Sequence, residues 1–492
     1  KQNKQGIKIE NNSKCIFTED IELYAFYERI PENTLNGYGS EIEPYLINNA
    51  EDFKVFAYLL NNNNYNNNKV YYQLTNSIKL TEEIIIPQFN AHFDADGYVI
   101  YANNTINGYN VLTETGEIIK NVGLFTENNG EITNLILVNS TEELQNVDNV
   151  TTINLANLAT TNNGKIDNIL VYFTVNVNSD ANINLFNISN NKGEMTNSYN
   201  YNSKFIVNSV ENVVNDDVNT YKHISTQEPN IEDNAYIITN SEELSYLLSL
   251  NEINFRVKLM NNIDMKGKIF NTINTNLILN GNGYIISNLI ILDCDYLFSS
   301  VNFIEVGFEN LVFVNLSNNN LSLINESINI EKSYIESTVN NLQNVINVNN
   351  GSIINSYFKV NTTYVIDTNN SNIENAYSIY AELIKEDNGE VVNFVKFNLQ
   401  NEELEVKVRE FMSLVDTSIW FEDINLIMDD ITLPGLIKVG NYVYKLIYDN
   451  SIIELEVMPA KLNESLVITK QASNLYVYFD VINENYEFKN IL

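Results

Sequence analysis

Apolar residues recur along this chain with two different periods. Most segments alternate singly, as in Ile21, Leu23, Ala25 and Tyr27, or in Tyr442, Tyr444, Leu446 and Tyr448 followed by Ile453, Leu455 and Val457. Period two marks a strand with one buried face. Three segments repeat every three or four positions instead. Phe53, Phe56, Ala57 and Leu60 share one helical face, Leu244, Leu247 and Leu248 a second, and Leu404, Val408 and Phe411 a third. The pattern therefore predicts short helices near 50–60, 241–249 and 402–414 in a chain that is otherwise β. Asn49 and Ser241 stand where N-caps of the first two belong. Glu51 and Glu242 fall in their first turns, where the helix dipole favours an anion.

The first two helices open two copies of one unit. Tyr45, Leu46 and Ile47 are echoed by Tyr236, Ile237 and Ile238. Further on, Tyr72, Leu74, Ile78 and Leu80 match Val257, Leu259, Ile263 and Met265, and Phe93, Gly97, Tyr98 and Ile100 match Leu279, Gly283, Tyr284 and Ile286. The offset is 191 positions at Tyr45/Tyr236 and 186 at Gly97/Gly283, so the blocks keep their order and spacing across a duplication.

Each copy trails a shorter motif that begins with glycine, carries isoleucine two places on and asparagine two places after that. It reads Gly130, Ile132, Asn134; Gly164, Ile166, Asn168; and Gly193, Met195, Asn197 after the first copy. After the second it reads Gly351, Ile353, Asn355; Ser371, Ile373, Asn375; and Gly389, Val391, Asn393. Consecutive asparagines lie 34, 29, 20 and 18 residues apart, the length of one coil of a β-solenoid with variable loops. In that arrangement the isoleucine points inward. The asparagine takes a corner and bonds to its own backbone or to the asparagine of the next coil, and the apolar residue after it re-enters the core. The motif glycine occupies a turn position with positive φ, and Gly97 and Gly283 serve the turns of the duplicated blocks. A single coil cannot bury its apolar face, whereas stacked coils can. The predicted fold is all-β: a right-handed parallel β-helix in two tandem segments with short capping helices and small flanking β modules. Domains are expected at 1–34, 35–225, 226–439 and 440–492, the last an Ig-like or other antiparallel module.

Residues 37–436 resemble the bacterial β-helix surface proteins that carry GLUG motifs, which share a fold with filamentous-haemagglutinin-like adhesins. The resemblance is carried by Gly37, Tyr38, Gly39 and Ser40 before Pro44 and Tyr45, and by the strands at Ile78 and at Ile263 and Asp264. It continues in the turns Phe93, Asp94 to Gly97 and Asn280 to Tyr284, and in Val122, Gly123, Leu124 and Phe125 ahead of Gly130. Ala95 replaces a family glycine, Lys79 an aspartate, and Tyr296, Leu297 and Phe298 stand in for the second Gly-Leu-Phe. The run from Thr417 through Trp420, the only tryptophan, to Leu433, Pro434, Gly435 and Leu436 resembles the family's terminal segment. It is expected to close the open end of the second β-helix, because an unpaired coil is an aggregation edge. Ahead of these, Asp20, Leu23, Tyr24 and Ala25 resemble the last strand of a Listeria–Bacteroides β-grasp repeat. These resemblances imply a bacterial surface or adhesive role.

Composition narrows the partners. Net charge is −35, which argues against nucleic acid and anionic membranes, since both require basic patches. Apolar residues make up 44%, enough for a core, and asparagine fills the intervening polar positions. No apolar run reaches membrane-spanning length, so no membrane insertion is expected. The chain opens in mid-pattern without a signal peptide, as a processed or partial chain would. The two cysteines, Cys15 and Cys294, fall in different predicted domains and are expected to be unpaired. A large secreted chain without a disulfide framework fits a bacterial surface protein or a virion fibre better than an animal ectodomain.

Catalytic chemistry is sparse. Asp94 and Asp96 form the pair best suited to glycoside hydrolysis, but the second copy carries Asn280 and Asn282 there, which points to turn chemistry. His92 and His223 are far apart in sequence and His92 has no counterpart in the second copy, so no metal site is expected from them. Asp216, Asp217, Asp293, Asp295, Asp429 and Asp430 could offer oxygen ligands to calcium. A solvated acidic face is the preferred reading, and no cofactor is expected. Tyr199, Tyr357, Tyr364 and Tyr377 lie near coil motifs, where exposed rings could stack on sugars and buried ones would pack the coil edge. The expectation is a non-enzymatic, extracellular adhesin or stalk segment that binds a glycan or a surface protein. The alternatives are a self-associating phage-fibre or filament subunit and, more remotely, a polysaccharide-degrading enzyme.

Overall fold

A computed structural model describes residues 7–8, 35–145, 147–212, 214, 219–220, 225–250, 254–270, 275–316, 321–397, 404–428, 431–436, 442–448, 451–457 and 476–477. Within them the chain is almost all β, with three α-helices. The strand assigned to a β-grasp repeat, Cys15, Asp216, Asp217, His223, Asp429 and Asp430 lie outside the described residues. In the last stretch Tyr442–Tyr448 pairs antiparallel with Ser451–Val457 and with Tyr476–Val477. The chain divides into two compact units, residues 1–223 with 266–269 and residues 224–265 with 270–492.

In each unit a short strand leads into a helix. In the first, α1 (Ala50–Leu59) is capped by Asn49, whose side chain accepts from the Asp52 backbone N–H at 2.9 Å. It lays Phe56 on Tyr72 and Phe93, with ring centroids 4.7 and 5.5 Å apart. In the second, α2 (Ser241–Ser249) is capped by Asn240 rather than by Ser241. Asn240 has extended backbone, accepts from the N–H groups of Glu242 and Glu243 at 3.0 and 3.1 Å, and occupies the place of Asn49 in the duplicated unit. The Glu243 carboxylate reaches back to the Thr239 N–H at 2.7 Å, completing a reciprocal cap. Ser241 is instead the first helical residue.

From Ile118 the chain visits four sheets in the same order three times. The first pass supplies Ile118–Val122, Phe125–Asn128, Glu131–Thr133 and Ile136–Thr141. The second supplies Thr152–Ala156, Ala159–Asn162, Lys165–Asp167 and Leu170–Val177, each parallel to its predecessor. The third adds Asn182–Phe186, Ser189–Asn191, Glu194–Thr196 and Tyr199–Asn200 on the same four. Ile132 lies opposite Ile166 and Leu137 opposite Val171, and all four side chains are fully buried. In the second unit a 15-stranded sheet curls so that the long strand Asn344–Asn369 pairs with Ser322–Glu331 along its first part and with Tyr334–Asn340 further on. Leu124 and Phe125 of the first unit are buried, as are Leu297 and Phe298 of the second, so the departure from Gly-Leu-Phe keeps the inward pair.

The motif glycines do not supply the positive φ. That role falls to the asparagines: Asn134, Asn168, Asn197, Asn355, Asn375 and Asn393 have φ of 54°, 55°, 46°, 48°, 50° and 54°. Asparagine enters this region at lower cost than other side-chain-bearing residues because its short amide bonds locally. The glycines answer a different need, close approach of one pass to the next. A Cβ on Gly164 would lie 2.1 Å from the Gly130 carbonyl oxygen, and one on Gly193 would lie 2.2 Å from that of Gly164. Gly97 and Gly283, outside this motif, do have positive φ, 80° in both.

The C-terminal segment packs on the second unit. Helix α3 (Leu404–Leu414) and the hairpin Trp420–Met428/Ile431–Leu436 share a core with Tyr334, Tyr357, Tyr377 and Phe397. The three tyrosines come from successive passes and stack at 4.7 and 5.0 Å with rings nearly parallel. The segment thus covers the flank of several passes, anchored by hydrogen bonds from Tyr377 Oη to the Pro434 carbonyl and from Trp420 Nε1 to Asn355.

Gly164→Ala should destabilise the first unit by about 1–3 kcal/mol, because the added methyl meets rigid backbone. Asn162→Ala should cost about 1–3 kcal/mol by stripping partners from buried polar groups. Denaturant unfolding of both variants checks this, and unchanged midpoints would disprove the proposed role of close stacking.

Candidate functional site

The asparagine corners form ladders. Asn134 Nδ2 donates to Asp94 at 2.8 Å, and Asn168 Nδ2 to Asn134 Oδ1 at 2.8 Å. Asn197 departs from the column and donates to Asp167 at 2.9 Å. In the second unit Asn393 donates to Asn375 at 2.9 Å, while Asn355 accepts from Trp420. The ladders extend well beyond the predicted corners. Asn128, Asn162 and Asn191 form a chain with bonds of 2.7 and 2.6 Å, and the first two are wholly buried. Asn349, Asn369 and Asp387 form another, at 2.7 and 2.8 Å. These are scaffold positions.

The predicted chemical groups also resolve into structure. Asp94 accepts the Asp96 backbone N–H at 2.8 Å, and Asn280 accepts that of Asn282 at 2.9 Å. Asp96 and Asn282 have φ of 49° and 51°, each followed by its glycine at 80°. The same turn forms with and without charge, so turn geometry accounts for the aspartates. His92 is stacked on Tyr71 at 4.3 Å and lies between Glu131, 3.1 Å from Nδ1, and the Asn68 carbonyl, 3.1 Å from Nε2. Glu131 also meets Lys165 at 2.6 Å, and that hydrogen bond, with the one to His92, holds its carboxyl below the usual range against partial burial. Among the described residues no group of three acidic, histidine or cysteine side chains could hold a metal ion. Tyr357 and Tyr377 are buried; Tyr199 and Tyr364 are half-buried. Cys294 is buried, and its thiol donates to the Tyr296 carbonyl.

A polar recess of about 410 Å³ opens on the second unit. Its floor comes from strands whose inward residues Ile324, Ile346 and Ile366 are fully buried. Alternation puts the next residues, Asn325, Asn347 and Asp367, on the outer face, and Lys385 follows Ile384 on the next strand. Asn347 Nδ2 donates to Asn325 Oδ1 at 3.1 Å, and Lys385 Nζ meets Asp367 at 2.7 Å. Asp295 and the half-buried Tyr296 flank this column, and Asp295 accepts from Asn315 Nδ2 at 3.2 Å. Asn344 lies on the wall, and its buried Oδ1 has no hydrogen-bond partner. The volume is that of a small-ligand cleft, and the walls offer paired donors and acceptors suited to hydroxyl groups. Sequence reasoning did not single out this column. Its members lie 22, 20 and 18 residues apart, close to the interval of the corner asparagines in the same region, and that shared interval was the available signal.

Outside the recess, burial displaces the pKa of Lys120 and of Glu309. Lys120 is 1% exposed, and burial lowers its ammonium pKa to about 8, with Glu83 opposing weakly. Glu309 is raised above the usual carboxylate range by burial, although the hydroxyl of Tyr334 donates to it. Tyr357 Oη and Lys359 Nζ meet the neighbouring Glu336 at 3.3 and 3.4 Å.

Fold and recess together define an all-β protein of stacked parallel strands with a polar cleft on their outer face. Among the described residues no helix is long and apolar enough to cross a membrane. No known family profile matches the chain, and no curated protein does. Two solved structures align with it. A candidate immunoglobulin A1 protease from Bacteroides ovatus does so at 12% identity and TM-score 0.20, over 82% of this chain and 94% of that one. The SRRP of L. reuteri 53608 does so at 15% identity and TM-score 0.18, over 71% and 99%. Neither score reaches the range of a shared fold.

Two pH experiments test the buried charges. A base whose pKa is lowered on folding destabilises the folded state where it is protonated, so stability should rise between pH 8 and 10.5. Lys120→Met should flatten that rise and stabilise the protein at pH 7 by up to about 3 kcal/mol. Glu309 has the opposite sign: an acid with a raised folded pKa favours folding below pH 4.5 and progressively loses that contribution as pH rises. Glu309→Gln should therefore raise the melting temperature at pH 7 and flatten the decline above pH 4.5. Unchanged pH profiles in either variant would contradict the assignment.

Proposed function

We propose that this chain is a non-enzymatic segment of a secreted bacterial surface protein, an adhesin or stalk built on two tandem right-handed parallel β-helices of the GLUG-motif type. Three ordered visits to four parallel sheets, and the curled sheet of the second unit, support the β-helix reading. The observation that carries the functional reading is the recess, whose walls are the outward side chains of consecutive stacked strands. Amides and hydroxyls predominate on that outer face, and neutral Asn, Ser and Thr hydrogen-bond ligands but do not exchange protons near pH 7. The carboxylates first suited to cleavage, Asp94 and Asp96, are engaged in a turn that the second copy builds from asparagine.

Purified protein should adhere to intact bacterial or host cells and to immobilised polysaccharide without releasing reducing ends. Release of reducing ends that is lost on Asp94→Asn, Asp96→Asn or Asp367→Asn would replace this reading with a polysaccharide-degrading enzyme. Absence of adhesion to every surface would remove the adhesin and leave a structural segment.

A further inference from the structure

We infer that the recess on the second unit is a subsite for a neutral oligosaccharide, an assignment that rests on the adhesive reading above and gives it a place and a ligand class.

The chemistry of the walls selects the ligand. Asn325, Asn347 and Gln343 carry amides, each presenting donors and an acceptor within one small group. Adjacent sugar hydroxyls present the same combination and can bond to an amide reciprocally. Asn325 and Asn347 stand on adjacent passes at the spacing of parallel strands, about 4.8 Å, and Gln343 lies four residues before Asn347 on the same pass. A chain of sugar rings laid along the column would offer successive hydroxyl groups to Asn347 and Asn325. The half-buried Tyr296 at the flank adds an aromatic surface for the apolar C–H face of such a ring. Asn344 Oδ1 has no hydrogen-bond partner although it is buried, and a hydroxyl donor entering from the recess would satisfy it.

Charge separates neutral from acidic sugars. The recess is lined by two carboxylates, Asp295 and Asp367, against one ammonium, that of Lys385, which lies 2.7 Å from Asp367. A uronate or phosphate would meet those carboxylates in a chain of net charge −35. A ligand without charge avoids the repulsion and leaves the ion pair intact.

Calorimetric titration of the full chain with cello-, manno-, xylo- and chitohexaose, and with hexagalacturonate as the anionic counterpart, tests the assignment. At least one neutral hexasaccharide should bind, and hexagalacturonate should not. Tyr296→Ala and, independently, the exposed Gln343→Ala should each weaken binding by about tenfold or more. Glu114→Gln on the first unit should leave it unchanged, with thermal melts confirming that each variant is folded. If one substitution unfolds the protein, the other decides. Neutral-sugar binding that survives both substitutions would place the ligand elsewhere and overturn the assignment while leaving adhesion intact. Cell adhesion with no neutral hexasaccharide bound would refute the ligand class alone, as would a preference for hexagalacturonate. Loss of both cell adhesion and sugar binding in the wild-type protein would remove the adhesive reading together with the subsite.

Discussion

The structure depends on parallel passes of chain lying in register with the pass before. Amide side chains enforce that register. When Asn168 donates to Asn134, or Asn162 receives from Asn128 and gives to Asn191, each residue is satisfied only if its equivalent in the next pass sits directly opposite. A slip of one position would leave buried amides unpaired and turn the inward isoleucines outward. Apolar burial supplies the driving force, but it is not directional, and the ladders choose among its possible registers.

Glycine and asparagine divide the work at the corners. The chain must turn sharply between sheets and must let successive corners approach to within backbone contact. Asparagine meets the first demand by entering the left-handed region while its amide remains available to the ladder. Glycine meets the second, since the carbonyl of the preceding pass fills the space where a Cβ would lie. Both properties recur with each pass, which is why the motif repeats although the loops between its copies vary in length.

Register also builds the outer face. Once Ile324, Ile346 and Ile366 are aligned inside, Asn325, Asn347 and Asp367 are aligned outside without any further interaction being needed. A recess on such a face inherits the spacing of its strands. The same logic aligns Tyr334, Tyr357 and Tyr377 on another flank, where their apolar stack receives α3 and Trp420. One column thus becomes a core and the other a cleft, because the first meets a segment of apolar residues and the second is lined by polar side chains.

Much of the all-β character was legible in the sequence, because period-two burial and the recurring motif are local patterns. Legible too were the three helices and the inward isoleucines, each marked by the spacing of apolar residues. Local preference misassigned the motif glycines, since positive φ and close approach call for the same residue and only the neighbouring pass distinguishes them. It also placed the cap on Ser241, where the hydrogen bonds select Asn240 one position earlier. Tertiary structure alone decided which polar side chains became a recess. Asn325, Asn347, Asp367 and Lys385 have nothing unusual about them in sequence; they meet because strands some twenty residues apart pair in register, and Asp295 and Tyr296 join them from the pass that precedes Asn325. Periodicity specifies which face a side chain occupies, whereas its neighbours on that face depend on pairing between distant segments.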